Sequence, residues 1–129
     1  METNKIISPY FEDGVFTGVR VCVGDEDFVI APKDYNNGER MTWHKAMAAL
    51  KADRLSTFNY RQICLTMAYR EKIDKVLEDN GGDKLNGCWI REEYAHSYAF
   101  LYHSYHGFLD SCHKSYIFTV RPIKNLKEE

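Results

Sequence analysis

Along "GVRVCVGDEDFVIAP", Val19, Val21 and Val23 alternate with Arg20 and Cys22, the two-residue period of a half-buried strand. Gly24-Asp25-Glu26-Asp27 supplies a turn before Phe28-Val29-Ile30, so the stretch predicts a hairpin. "KDYNNGER" is a polar loop rich in turn formers. The period then lengthens. Trp43, Met47 and Leu50 fall on one face of a helix from Trp43 to about Ala52, with Thr42 as its N-cap and Ala46 and Ala49 allowing close packing. "LSTFNY" restarts the chain, and Thr57 is placed to cap a second, longer helix. Its apolar stripe is Leu65, Tyr69, Ile73, Val76 and Leu77, while Arg70, Glu71, Lys72, Asp74, Lys75 and Glu78 are expected to face water. Gly81-Gly82 ends it with the residue type that accepts a left-handed C-cap. From Trp89 to Ile123 aromatic and β-branched residues replace the helical period, with a turn at Gly107. "KNLKEE" is a charged tail expected to fray. Strands segregated to both ends of a pair of helices predict an α+β fold: one domain over residues 1–123 and a tail over 124–129.

Composition narrows the class. The chain has 129 residues, 44% hydrophobic and 28% charged, which describes one globular domain with a real core. A net charge of -2 and the lack of any basic run give no support for nucleic-acid binding. No apolar run approaches the ~20 residues that a membrane span requires, and "METNKIISPYFEDG" carries neither a secretory nor a lipidation pattern. Nothing in these residues exports the chain by itself, so it is expected to be cytoplasmic as made or a virion component, with its final location, virion or cell surface, left open by the sequence. Cys22, Cys64, Cys88 and Cys112 are widely spaced without a CxxC pair and read as reduced thiols.

The stretch "YAHSYAFLYHSYHGFLDSCHKSYIF", Tyr94 to Phe118, fits neither a solvated surface nor a plain core strand. It is crowded with Tyr, His, Phe and Ser and lacks Asn, Gln, Glu, Met and Trp. No nucleophile elbow, phosphate loop or dinucleotide fingerprint occurs in the chain, so no enzyme is expected. His96, His103, His106 and His113, with Cys112 and Asp110, raise a zinc or non-haem iron site as an alternative. Against it, His103 and His106 are three apart and point to opposite sides of a strand. Adjacent Cys112 and His113 diverge for the same reason, and neighbouring Glu92 and Glu93 do not converge on one bond. No cofactor is expected. Tyr, Ser and His together give large rigid rings and adaptable hydrogen bonds, the composition of a contact surface.

The order of several short motifs resembles a known family. "MTWHKAMAAL…RLSTFNYRQI" resembles a [TS]-W-x-x-A…RLPT-x-x-E-L-x-x-I pattern, and "NGGDKL" the glycine pair after its long helix. "WIREEYAHSYAF" is similar to W-SSTEY…AW, and "KSYIFTVRPI" to a K…VRPV ending, with Gly107 at the turn glycine. This is the C-terminal domain family of Legionella collagen-like adhesins, and the match covers roughly residues 15 to 123. Ile90-Arg91-Glu92 in place of SST, Phe100 in place of Trp, Ser56 in place of Pro, and Ser104 at an apolar position are departures.

The resemblance implies a C-type-lectin-like fold that displays a binding surface, mostly without calcium. Part of that family comprises variable proteins of diversity-generating retroelements. Errors at template adenines there convert Asn codons to Tyr, His, Ser, Asp, Phe and others, never to Glu, Gln, Lys, Met or Trp. From Tyr94 to Ile123 only Lys114 falls outside the reachable set. The resemblance thus implies a phage- or bacterium-encoded binding protein with a variable region of about residues 90–118. Its partner is a protein or cell-surface ligand, and exposed aromatic residues allow a homo-oligomer. The implied variable, exposed set is Ile90, Arg91, His96, Tyr98, Tyr102, His103, Tyr105, His106, Phe108, Asp110, Ser111, Cys112, His113, Ser115, Tyr116 and Phe118. The implied framework is Trp43, Trp89, Glu93, Ala99, Gly107, Lys114, Val120, Arg121 and Pro122, with Arg121 paired to an acidic neighbour. A fixed adhesin or structural domain of the same family is the nearer alternative, and a small metal enzyme the more distant one.

Overall fold

The computed structural model describes residues 5–103 and 108–126, Phe108 through its main chain only. Three antiparallel strands open the chain: β1 (Lys5–Glu12), β2 (Val15–Val23) and β3 (Glu26–Ile30). Alternation sorts the β2–β3 hairpin as its pattern requires. Val19, Val21, Phe28 and Ile30 are buried in the main core, while Arg20 on the other face makes a two-pronged bond to Asp27 (2.9 and 2.8 Å). The preceding strand β1 is an edge strand that carries Pro9 and a bulge at Tyr10/Phe11, which break the alternation that would announce it. Gly18 faces that bulge at φ +151°, and a Cβ there would stand 2.1 Å from the Ile30 carbonyl oxygen. Only glycine fits this crossing.

α1 (Trp43–Ala52) follows a 3-10 turn at Tyr35–Gly38. Thr42 occupies its N-cap position, but its side chain makes no capping bond; instead the Trp43 N–H donates to the Lys114 carbonyl at 3.2 Å. The helix predicted as one long element is two, α2 (Tyr60–Ala68) and α3 (Arg70–Asp79), broken where Tyr69 leaves helical geometry. Asn59 caps α2 in a reciprocal box with Gln62, and Thr57 does not cap. The Thr57 hydroxyl donates to the Arg121 carbonyl at 2.7 Å. Asp74, expected in water, is buried because its carboxylate accepts the Leu85 N–H at 3.1 Å. Gly81, at φ +86°, ends α3 with paired bonds from Gly82 N–H to Leu77 and Gly81 N–H to Glu78.

A second antiparallel sheet, β4 (Cys88–Ala95), β5 (Tyr98–His103) and β6 (Phe108–His113), has β5 at its centre. The chain then returns to the first sheet as β7 (Ile123–Asn125) beside β3, giving the order β1-β2-β3-β7. Lys124 and Asn125 are thus paired strand residues rather than the start of a frayed tail, and the Leu126 N–H donates to the Asp27 carbonyl at 2.9 Å. The fold is α+β, with mixed helices and two antiparallel sheets. The main core joins the first sheet, α2, α3 and one end of the second sheet through Phe28, Phe58, Ile63, Ile73 and Tyr102. A second cluster packs α1 on the opposite face of β4–β5 through Trp43, Leu50, Trp89, Ala99, Leu101 and Val120.

Arg121 sits where these parts meet and is fully buried. Its Nε donates to Asp34 at 2.9 Å, Nη1 to the carbonyls of Ala31 (2.9 Å) and Asp83 (3.2 Å), and Nη2 to that of Lys84 (3.1 Å). The neighbouring Pro122 carbonyl accepts the Ala31 N–H at 2.9 Å. Breaking a buried ion pair on one side leaves the other partner uncompensated. Arg121→Ala should therefore cost about 3–5 kcal/mol in denaturant unfolding; a loss under about 1 kcal/mol, the range of exposed ion pairs, would contradict this role. Gly18→Ala should cost about 1–3 kcal/mol from strain alone, and an unchanged unfolding midpoint would show that β3 yields freely.

Candidate functional site

The second sheet has two unlike faces. Register places Tyr98 opposite His113, Phe100 opposite Ser111 and Tyr102 opposite Leu109, all on one side. Ala99, Leu101 and Cys112 lie on the other side, against the Trp43–Trp89 cluster. Both indoles are pinned there: Trp43 Nε1 donates to the Ile90 carbonyl and Trp89 Nε1 to that of Met41, each at 2.9 Å. One side of the sheet is thus fixed to α1. The other is covered by the main core from its Tyr102 end as far as Phe100, which is half-buried against it.

Beyond that covered end, rings continue into solvent. Phe100 packs between Tyr94 (5.4 Å, edge-on) and Tyr60 of α2 (6.0 Å, tilted), and Tyr98 meets His113 edge-on at 5.5 Å. Tyr94 is 62% exposed and Tyr98 44%, and Tyr116 and Ile117 are exposed in the segment after β6. Arg91, His96, Asp110, His113 and Ser115 are also exposed, whereas His103, Ser111, Cys112 and Phe118 are half-buried.

Two members of the expected exposed set are core residues. Ile90 and Tyr102 are fully buried, because the alternation that points them away from the Trp89 cluster points them into the main core. Phe118 is half-buried rather than displayed, since it packs edge-on against Trp89 at 5.0 Å and its main chain bridges to Met41. Cys112 is likewise no exposed thiol; it lies partly under the second cluster, and burial raises its pKa. Tyr105, His106 and Gly107 lie outside the described residues, as does the side chain of Phe108. Tyr60, Tyr94 and Phe100 join the face without having been singled out. Tyr60 is distant in sequence, and Phe100 was expected to pack in place of a Trp rather than to join a contact face.

Of the framework residues, Trp43, Trp89, Ala99, Lys114, Val120, Arg121 and Pro122 are buried. Lys114 holds the rim of the face. Its ammonium bonds the exposed Glu93 carboxylate, donates to the His96 carbonyl at 2.9 Å and stands 4.8 Å from the Trp43 ring centre. The Lys114 N–H donates to Ser97 at 2.9 Å, closing the β4–β5 turn onto the end of β6. The Lys114 hydrogen bond holds the Glu93 carboxyl below the usual carboxylate range, helped by His44 and His96.

Cys112 and His113 are not brought together as a nucleophile and base. His113 turns towards Tyr98 while Cys112 faces the second cluster, and His113 Nδ1 accepts the Ser115 N–H at 3.1 Å. Burial pushes the Cys88 thiol up to about 12 against the pull of the Arg121 charge, so it is no nucleophile at neutral pH. All four cysteines are free. Among the described residues no three His, Cys, Asp or Glu side chains group to hold a metal ion, and no helix is long and apolar enough to cross a membrane. Compared with known proteins, the chain matches no family model and no curated sequence at a significant level.

A carboxyl with a depressed folded pKa stabilises the fold above its ordinary value of about 4.3 and loses that contribution as pH falls through the folded value. The stability gap between the wild type and Glu93→Gln should therefore be open at pH 7 and close below about pH 4. Urea midpoints across that range measure it, and a gap independent of pH would mean the Lys114–Glu93 bond is not what Glu93 supplies.

Proposed function

We propose that the chain is a ligand-binding protein of receptor or adhesin type, and that the open face of the second sheet is its contact surface. The observation that carries this reading is the division of labour within one sheet. Trp89, Ala99 and Leu101 bind the scaffold from one side, while Tyr94, Tyr98 and Phe100 form a row on the other, part of it in open solvent. Rigid aromatic rings left in water add little to folding, yet supply large contact area at low entropic cost on binding.

The further proposal is that this surface is diversified by a retroelement on a C-type-lectin-like scaffold. It rests on the motif resemblance and on the residue set between Tyr94 and Ile123, and a phage or bacterial gene fits it. A core residue cannot be overwritten freely, because large-to-small changes there cost several kcal/mol, roughly 2–5 for Leu, Ile or Met to Ala. The exposed positions Arg91, His96, Tyr98, Asp110, His113, Ser115 and Tyr116 are free of that constraint.

Sequencing the gene and its flanking DNA across the source population tests this directly. Substitutions should concentrate at those exposed positions and spare Ile90 and Tyr102, with a near-copy template and a reverse transcriptase gene close by. An invariant segment without a template would leave a fixed-ligand domain of the same architecture.

A further inference from the structure

A cleft of about 380 Å³ opens where the N-terminus of α1 meets the β4–β5 turn and the end of β6. Three imidazoles from three separate elements line it: His44 from α1, His96 from the turn and His113 from β6. The Ser115 N–H donates to His113 Nδ1 at 3.1 Å, and the Ser115 hydroxyl lies 2.7 Å from the same nitrogen, so this edge of the ring is taken up within the protein and Nε2 is left for a ligand. Thr42 and Ser97 add hydroxyls to the wall, and neither makes a side-chain hydrogen bond among the described residues. Lys114, 7% exposed, forms part of the same wall, with its ammonium held by Glu93, the His96 carbonyl and the Trp43 ring.

The electrostatics favour one sign of ligand. Glu93 is neutralised by Lys114, so it does not oppose an anion as a free carboxylate would. The first turn of α1 presents main-chain N–H groups at His44 and Lys45, which have no acceptor within the helix, and the Thr42 side chain leaves them uncapped. The other polar side chains on the wall are hydroxyls and imidazoles; the Thr42 and Ser97 hydroxyls can donate to a ligand, whereas the Ser115 hydroxyl is engaged with His113 Nδ1 at 2.7 Å. Because these imidazoles do not group as metal ligands, a cation is the poorer fit.

We propose that this cleft binds an oxyanion, a carboxylate or sulfate-type group, borne by a ligand whose apolar part lies on the neighbouring rings. His113 belongs to both places, since it lines the cleft and meets Tyr98 at 5.5 Å. The inference deepens the reading of this face as a contact surface by naming the chemistry at one end of it. The titratable and charged groups on the wall are His44 from α1, His96 from the turn, and His113 and Lys114 at the end of β6, with Glu93 of β4 held by Lys114; Lys45 pairs with Glu39 at 3.5 Å.

The test is an NMR titration of the intact chain, reading the histidine ring protons while sodium sulfate or sodium acetate replaces chloride at constant ionic strength. Saturable shifts centred on His44, His96 and His113 are expected with at least one of the two anions. The paired substitution H44Q and H96Q, both at exposed positions, should weaken that binding by about tenfold or more while leaving the amide spectrum folded. Lys72→Gln on distant α3 should leave it unchanged. No saturable shift with either anion, or equal binding by the paired variant, would overturn the assignment. The titration needs no natural ligand, so its outcome is separate from whether the gene varies.

Discussion

A single buried charge organises this fold. The Arg121 guanidinium is sealed from water and satisfied by Asp34 and the carbonyls of Ala31, Asp83 and Lys84. Those groups lie after β3 and after α3, segments far apart in sequence, and Thr57 adds the α1–α2 connection through the Arg121 carbonyl. Irregular chain cannot satisfy its own main-chain polar groups when buried, so a planar cation with several donors is a suitable centre for three such segments. Desolvating it is costly, and no net gain over an apolar replacement need follow. What it does is specify which loops meet. Once they meet, β7 is set beside β3 and the second sheet is set between two clusters.

From that placement the functional proposal follows physically. A sheet packed on both faces would have no side chain to spare, whereas one packed on neither would not be stable. Here α1 and the two indole hydrogen bonds secure the Trp89 side, and the main core secures the Tyr102 end of the other as far as Phe100. The rest is rigidly held yet energetically uncommitted. Preorganised display of this kind lowers the entropy lost on binding. The Lys114–Glu93 bond and the cation over Trp43 close the rim, so that the turn carrying His96 is tied to the end of β6.

Local periodicity made much of this legible. The β2–β3 hairpin and α1 follow from two- and 3.6-residue repeats, and the Gly81-Gly82 stop follows from left-handed geometry that glycine accepts. The pairing of Arg121 with an acidic residue was expected, although which one required the fold to bring Asp34 to it. The failures share a cause. Alternation tells which residues share a face, but not how far along that face the neighbouring layer extends, and so Ile90 and Tyr102 were expected outside. Asp74 looks like a solvent position until Leu85 N–H is delivered to it from another segment. The break at Tyr69 and the ring of Tyr60 beside Phe100 likewise depend on tertiary placement, and a continuous apolar stripe carries no mark of either.

The central claim is that one sheet separates folding from display, and a pair of libraries tests it most directly. In one, Arg91, His96, Tyr98, Asp110, His113, Ser115 and Tyr116 are randomised together; in the other, only Ile90 and Tyr102. Protease resistance of the displayed variants measures the folded fraction in each. Most members of the first library should remain folded and most of the second should not. Comparable losses in both would show that the open face is part of the core's support, and that it is not a surface free to vary.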